Sequence, residues 1–413
     1  MQAFRIRTDR VIAPFGEAPR DLYVADRTIA QWQELACKAC GLELVECDEI
    51  EGLGKVPCIV FFDDVFFTEM ALRNFVADAM NSADDIALEM ASSPTTEALS
   101  PAADMKRGEE DSFVYNLFSL GSGRLFHSRE ELQEHCSSKL QKKRSRSINL
   151  RLPKIDDGPV EVKTEITARI VAHVTHWIHL LRLSQMSIGV IMLDHFRREP
   201  SRALRLKWKR RFGMKRRHLR NFVHPSASVH PSAHLDTVVV GPNCSIGPHA
   251  HVHHSVLGAG VSIGDHARVM GCTLADKVQV LRASYIAHCA SMPGASLSSY
   301  KVQLSLFGKD VFLTSSAKLL DAKLRGEIRI EHQGKIIPVG SSFLGSCLGH
   351  RVVLGADTSV QCGRAIPNGL TIVASPEKVV TELRDFKEGS LLTIRDGELT
   401  QIGAIGTSSS PEE

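Results

Sequence analysis

From Val223 onward, aliphatic residues recur at every sixth position, and the residues between them are mostly polar or small. The run reads Val223, Val229 and Leu235, then Val240, Ile246 and Val252, then Leu257, Ile263 and Val269, then Leu274, Val280 and Ile286. Each triplet starts seventeen residues after the one before, so a coil has three faces of six residues with one corner shortened. A helix repeats at 3.6 and a strand at 2, so neither accounts for this period. A triangular parallel β-helix does, because each face sends one aliphatic side chain into a narrow axial core. Gly and Asn near the corners suit it, since they tolerate positive φ. The series resumes at Leu348, Leu354, Val360, Ile366 and Ile372. The period is expected to be broken over 292–347, apart from a partial coil at 307–319. Within the break, 326–340 alternates on either side of Gln333-Gly334, which predicts a β-hairpin.

The chain before the repeat has a different rhythm. Residues 1–90 alternate strand-like and helix-like patterns: a helix is predicted from Thr28 to Cys40, stopped by Gly41, and an apolar strand at 58–67. Residues 91–112 are rich in Ser, Thr, Pro and acid and read as a linker. A helical and basic region follows at 113–220, which leaves 221–376 for the β-helix and 377–413 for a C-terminal tail. The apolar stretch 170–193 contains three His and Arg182, which suits an internal or interfacial helix better than a membrane span.

Composition narrows the picture little. The chain has 413 residues, 43% hydrophobic and only 6% aromatic, with a formal net charge of +3. That is enough to bury sizeable cores, and the overall charge points to no partner. The first residues have no apolar signal segment, so a cytoplasmic location with reduced thiols is expected for the ten Cys. Cys37 and Cys40 form the one close pair and read as part of a helix end. Residues 202–220 hold ten Lys or Arg, with Leu, Trp and Phe between them. This pattern suits either an anionic membrane surface or a solvated connector, with nucleic acid a weaker reading. His173, His176 and His179 lack an evident carboxylate partner and read as one face of a packed helix.

The repeats at 223–290 and 348–372 resemble the left-handed β-helix of hexapeptide-repeat transferases. The segment EHQGKIIPVGSSFLGSCLGHRVVLGADTSVQCGRAIPNG resembles, more specifically, the C-terminal domain of sugar-nucleotide pyrophosphorylases, including the bifunctional N-acetylglucosamine-1-phosphate uridylyltransferase type. The resemblance implies a Rossmann-like α/β nucleotidyltransferase domain ahead of the β-helix and a homotrimer with acyl-transfer sites between neighbouring β-helices. It also implies that Pro19-Arg20 matches a Pro-Lys pair and that Asp64, closing CIVFFDD, matches the Mg²⁺-binding Asp. Two departures stand against retained chemistry. The stretch 9–20 offers only Gly16 where a Gly-rich phosphate loop belongs, and 297–305 lacks the Asn and Arg of an acetyl-transfer site.

Acyl transfer from acetyl-CoA or another acyl thioester needs a base, and His is suited to that role. Most of the chain's His fall at outward positions of the repeat; His350, at a coil corner, and His288, beside the break, are the candidates. Arg20, Lys301, Lys335, Arg351 and Arg364 are candidate ligands for phosphate groups. The sequence thus points to acyl or nucleotidyl transfer to a sugar phosphate or nucleotide sugar. The rival reading is a non-catalytic trimeric scaffold or ligand-sensing protein that has lost both sites.

Overall fold

The computed structural model describes the chain except residues 51–52, 55, 83, 104, 109–110, 142–145, 157, 202–219, 376, 378–379, 381–385, 387–389, 396–397 and 405–413, and the side chains of 146–164, 166 and 403–404. The basic run 202–220 therefore lies outside the described residues apart from Arg220.

The N-terminal domain is built on a mixed sheet. Its strands are β1 (Gln2–Ile6), β2 (Glu43–Cys47), β3 (Cys58–Phe62), β4 (Ile86–Ala91), β5 (Ser112–Leu120) and β6 (Ser137–Gln141), in the spatial order β6-β4-β5-β3-β1-β2. β1 pairs in parallel with both β2 and β3, and β5 runs antiparallel to β3 and β4. β3 is buried along its whole length, so CIVFF reads as an uninterrupted apolar run instead of alternating. Helices α1 (Ile29–Ala39) and α2 (Glu69–Ala79) pack against the sheet. α1 begins with a capping box between Thr28 and Gln31 and ends at Gly41, whose φ is 69°. Cys37 lies in the core, and burial pushes its thiol up to about 12, so the Cys37/Cys40 pair has a packing role.

Residues 91–112, expected as a linker, are part of this domain. They carry helix α3 (Pro94–Leu99), capped by Ser93, with Thr95, Thr96 and Leu99 buried, and a short strand at Lys106–Arg107 that pairs with β5. Their Ser, Thr and Pro serve as cap and first-turn residues of a helix. Much of 113–170 is likewise strand, where a helical region was expected, with one short helix, α4 (Arg129–His135).

Beyond Val171–His173, helix α5 (Trp177–Arg198) joins the two halves. It is the helix expected within 170–193, and no described helix is long and apolar enough to cross a membrane. Trp177, Ile178, Leu180, Leu181 and Leu183 lie in one core with Ile12 and Phe15 from the N-terminal domain and Val239, Val256, Leu306 and Cys347 from the repeat. The three histidines expected on one face of a packed helix are divided, because His173 ends the strand, His176 is the N-cap of the helix and only His179 lies within its first turn; all three are structural. His173 Nε2 accepts from Asn116 N–H at 2.9 Å, and His176 Nε2 lies 3.1 Å from the Glu331 carbonyl. His179 Nε2 lies 2.7 Å from the Pro101 carbonyl. Burial lowers His176 to about 4 and His179 to about 3.

The second half is a parallel β-helix in which each strand pairs with the residue seventeen positions on, as Phe222 with Val239 and Ile246 with Ile263. Every predicted axial residue from Val240 to Ile286 is at most 2% exposed, whereas Val223 at the open end is 39% exposed. Smaller buried residues, among them Cys244, Cys272 and Cys289, fill the core beside them. The expected break at 292–347 is narrower. The coils continue through Leu297, Val302, Phe307, Leu313 and Leu319 with one residue dropped at a corner, so that Ser296 pairs with Phe312 and Ile286 with Val302. Only beyond Leu319 does an excursion leave the stack, after which Leu313 pairs with Leu354 and Leu319 with Val360. The excursion contains the expected hairpin, Arg329–His332 with Lys335–Pro338, turning at Gln333 (φ 50°) and Gly334 (φ 75°).

Candidate functional site

The carboxyl ends of β1 and β3 form the site. β1 has β2 on one side and β3 on the other, so the chain connections diverge there, and open α/β sheets hold ligands at such points. β3 ends in the turn Asp63-Asp64, which leads into Val65–Phe67. Three elements fix this turn. Asp63 N–H donates to the Ile6 carbonyl at 2.9 Å, Val174 N–H donates to the Asp64 carbonyl at 2.7 Å, and Gln33 Nε2 donates to the Val65 carbonyl at 2.8 Å.

Both carboxylates are buried, Asp63 fully and Asp64 at 4% exposure. Asp63 Oδ1 accepts from the Thr8 backbone N–H (3.1 Å) and from Thr8 Oγ1 (2.6 Å). Its other oxygen lies 3.7 Å from Arg20 Nη1, and Asp64 Oδ2 lies 3.3 Å from Arg10 Nε. Burial pushes Asp63 up, against the opposing pull of Thr8 and Arg20. Asp63 Oδ2, Asp64 Oδ1 and Arg20 Nη1 are buried without a hydrogen bond. Each such atom costs about 1–3 kcal/mol, which a fold retains where something else has to be met there. A cleft of 300 Å³ opens at the same end of the sheet, lined by Ile6, Arg7, Asp48, Glu49, Ile50, His127, Ser128 and Arg129. Arg129 lies over the Phe62 ring, 4.4 Å from its centroid.

Arg20 and Asp64 thus come together. Asp63, which stands beside Asp64 where the resemblance expects Gly, joins them, as do Arg10 and Thr8, which the sequence did not single out. The signal for Arg10 was faint: with Arg20 it brackets the loop where a Gly-rich turn was missing.

That loop itself faces the β-helix. Ile12 and Glu17 bridge its two limbs, and Phe15 lies 4.9 Å, ring to ring, from His350. His350 is 3% exposed. Its Nδ1 accepts from the Lys309 backbone N–H at 2.8 Å, and its Nε2 lies 3.2 Å from Glu17 Oε1. Lys309 Nζ holds both oxygens of Glu17 at 2.8 Å, and Asn368 Nδ2 donates to the Phe15 carbonyl at 2.7 Å. With Nδ1 accepting, the neutral ring carries its proton on Nε2, beside Glu17, and has no free lone pair.

The remaining candidates are dispersed. His288 sits at an exposed corner with φ 52°, its carbonyl accepting from Gln185 Nε2 of α5 at 2.6 Å. Lys301 and Arg351 are exposed beside or at coil corners, Lys335 is exposed on the hairpin, and Arg364 is exposed on the last coils.

Residues 219–381 match the family described as the GMPPB C-terminal domain, so the resemblance read from the C-terminal repeats holds for the β-helical half. No curated protein matches the chain. Among solved structures it is similar to a Bacillus anthracis protein described as a glucose-1-phosphate thymidylyltransferase, in complex with a sucrose, at 9% identity. That likeness covers 45% of this chain and 94% of the other, with a TM-score of 0.28. It is also similar to the acetyltransferase domain of PglB from Neisseria gonorrhoeae FA1090 in complex with acetyl coenzyme A, at 14% identity. Here 38% of this chain and 55% of the other are covered, with a TM-score of 0.15. Likenesses this slight say nothing of chemistry.

Proposed function

We propose that the chain is a transferase of the sugar-nucleotide/hexapeptide class that engages a sugar phosphate or nucleotide sugar at the Asp63-Asp64 turn. The observation that carries this reading is the pair of buried carboxylates at the β1/β3 divergence, with two acid oxygens and one guanidinium nitrogen lacking hydrogen-bond partners. The donor set fits Mg²⁺, a hard cation that takes carboxylate oxygens together with phosphate. Asp63 and Asp64 would hold the ion, which would neutralise phosphate charge, and Arg10 and Arg20 would turn from the acids towards phosphate oxygens.

The same geometry does not fit His350 as the base of acyl transfer, because its Nδ1 lone pair is taken by the Lys309 N–H and its Nε2, buried without a hydrogen bond, faces Glu17 at 3.2 Å. His288 remains the candidate base for that chemistry, and Lys301, Lys335, Arg351 and Arg364 are candidate phosphate ligands outside the Asp63-Asp64 turn. A homotrimer is part of this reading, since hexapeptide-repeat transferases build their acyl-transfer sites between neighbouring β-helices; sedimentation as a monomer would remove it.

The experiment is thermal melting with sugar 1-phosphates, nucleoside triphosphates and nucleotide sugars, each with and without Mg²⁺, together with assays of pyrophosphate and free-thiol release. Mg²⁺-dependent stabilisation by one of these ligands is expected, and Asp64→Asn should abolish it. A non-catalytic scaffold is the second reading. It is favoured by the loop at 9–20 being fastened to the β-helix through Phe15 and Glu17, and it predicts neither pyrophosphate nor thiol release.

A further inference from the structure

Two neighbouring coils of the β-helix bring three imidazoles together outside the site described above. His234 and His251 are register partners, and His253 is the partner of Asp236. Alternation along the strand puts His251 and His253 on one side, with Val252 between them fully buried in the axial core. The rings stack: His234 lies 5.3 Å from His251 and 5.1 Å from His253, and the last two are 6.2 Å apart with planes inclined by 6°. One nitrogen from each ring lies within 4.8 Å of the other two, and His234 Nδ1 is 3.3 Å from His253 Nε2.

That separation is what a metal ion requires. With Zn–N bonds of about 2.0–2.1 Å, tetrahedral coordination puts neighbouring ligand nitrogens roughly 3.3 Å apart. A His–His hydrogen bond alone would explain two of the rings but not the third. His251 makes no side-chain hydrogen bond among the described residues, and its exposure leaves it free to turn the remaining distance. The charges nearby are mixed. Asp236, ion-paired with Arg220 at 2.7 Å, supplies a carboxylate across the register from His253, while Arg268 is the register partner of His251 on the following coil.

We propose that His234, His251 and His253 form a binding site for a divalent transition metal of borderline softness, Zn²⁺ foremost, with water in the fourth position. Imidazole suits zinc, copper, nickel and cobalt over magnesium or calcium, so the site is chemically distinct from the acid pair at 63–64. The ion would tie two coils together at the start of the stack, where the axial core is least protected.

Tag-free protein treated with a chelator would be titrated with Co²⁺ and read by visible absorption and equilibrium dialysis. The expected result is one Co²⁺ per chain with the intense bands of a four-coordinate ion, displaced by Zn²⁺. His253→Ala and His251→Ala should each weaken binding by about 100-fold or more, beyond the 10–100-fold typical of outer-shell losses. Their metal-free melting should match that of metal-free wild type. His249→Ala, in a separate stacked pair with His266 (5.1 Å), should leave binding unchanged. Failure to bind Co²⁺ at sub-millimolar concentration, or binding that survives both substitutions, would overturn the proposal.

Discussion

His176 and His179 are buried as neutral rings, and their environment makes folding sensitive to acid. In the unfolded chain they take up protons near their ordinary value of about 6.5, whereas in the fold they do so only near 4 and 3. A depressed folded value means that their contribution is fully present above the unfolded pKa and is lost as pH falls through the window from 6.5 towards those lower values. Each ring should cost about 1.4 kcal/mol of stability per pH unit inside that window. Urea unfolding between pH 7 and 5 should therefore show a falling midpoint, with a shallower fall in His176→Gln; a flat profile would contradict the burial described. At this scale the sequence was partly legible. Asp64 announced itself because an apolar run ended in two acids. Arg10 did not, because its partner lies far along the chain and only the adjacency of β1 and β3 brings them together. His350 was visible as a corner residue, but its occupation by Lys309 and Glu17 depends on how the halves dock.

Among the elements, the coils were the most legible part, since the axial positions repeat with fixed chemistry and each coil sees only its neighbours. The reading failed where one residue was dropped between Leu297 and Val302: a one-residue change shifts the phase of the pattern without breaking the stack. Residues 91–112 were misread for another reason, because Ser, Thr and Pro serve caps as readily as they serve loops. The close stacking of coils gives a test with an internal control. A Cβ at Gly264 would lie 2.6 Å from the backbone nitrogen of Arg282 and 2.9 Å from the Leu281 carbonyl carbon, neither of which can swing aside. Gly264→Ala should cost about 1–3 kcal/mol through overpacking. Gly189, exposed on α5 with nothing within 4 Å, is the reverse case, and Gly189→Ala should stabilise by about 0.5–1 kcal/mol. Denaturant melts of the two variants should move in opposite directions; a stable Gly264→Ala would mean that the coils are looser than their registers imply.

For the whole molecule, the question is whether an α/β domain and a β-helix fold as separate bodies. Inter-domain contacts within a chain are commonly small and polar, and then the parts melt independently. This interface is different: α5, Ile12, Phe15 and the outer face of the coils share one apolar core, closed at its rim by Glu17–Lys309 and by Asn368 on the Phe15 carbonyl. Calorimetry of the wild type should accordingly give a single cooperative transition. Phe15→Ala removes a side chain that is 2% exposed, a change that typically costs 3–5 kcal/mol, and Asn368→Ala removes the bond to its carbonyl. Together they should split the melt, leaving the β-helix, whose coils support one another, as the later transition. Two transitions in the wild type would show that the contact at Phe15 and His350 does not couple the halves. The fastening of the 9–20 loop would then cease to favour a scaffold, and Arg10 and Arg20 would be freer to meet a phosphate.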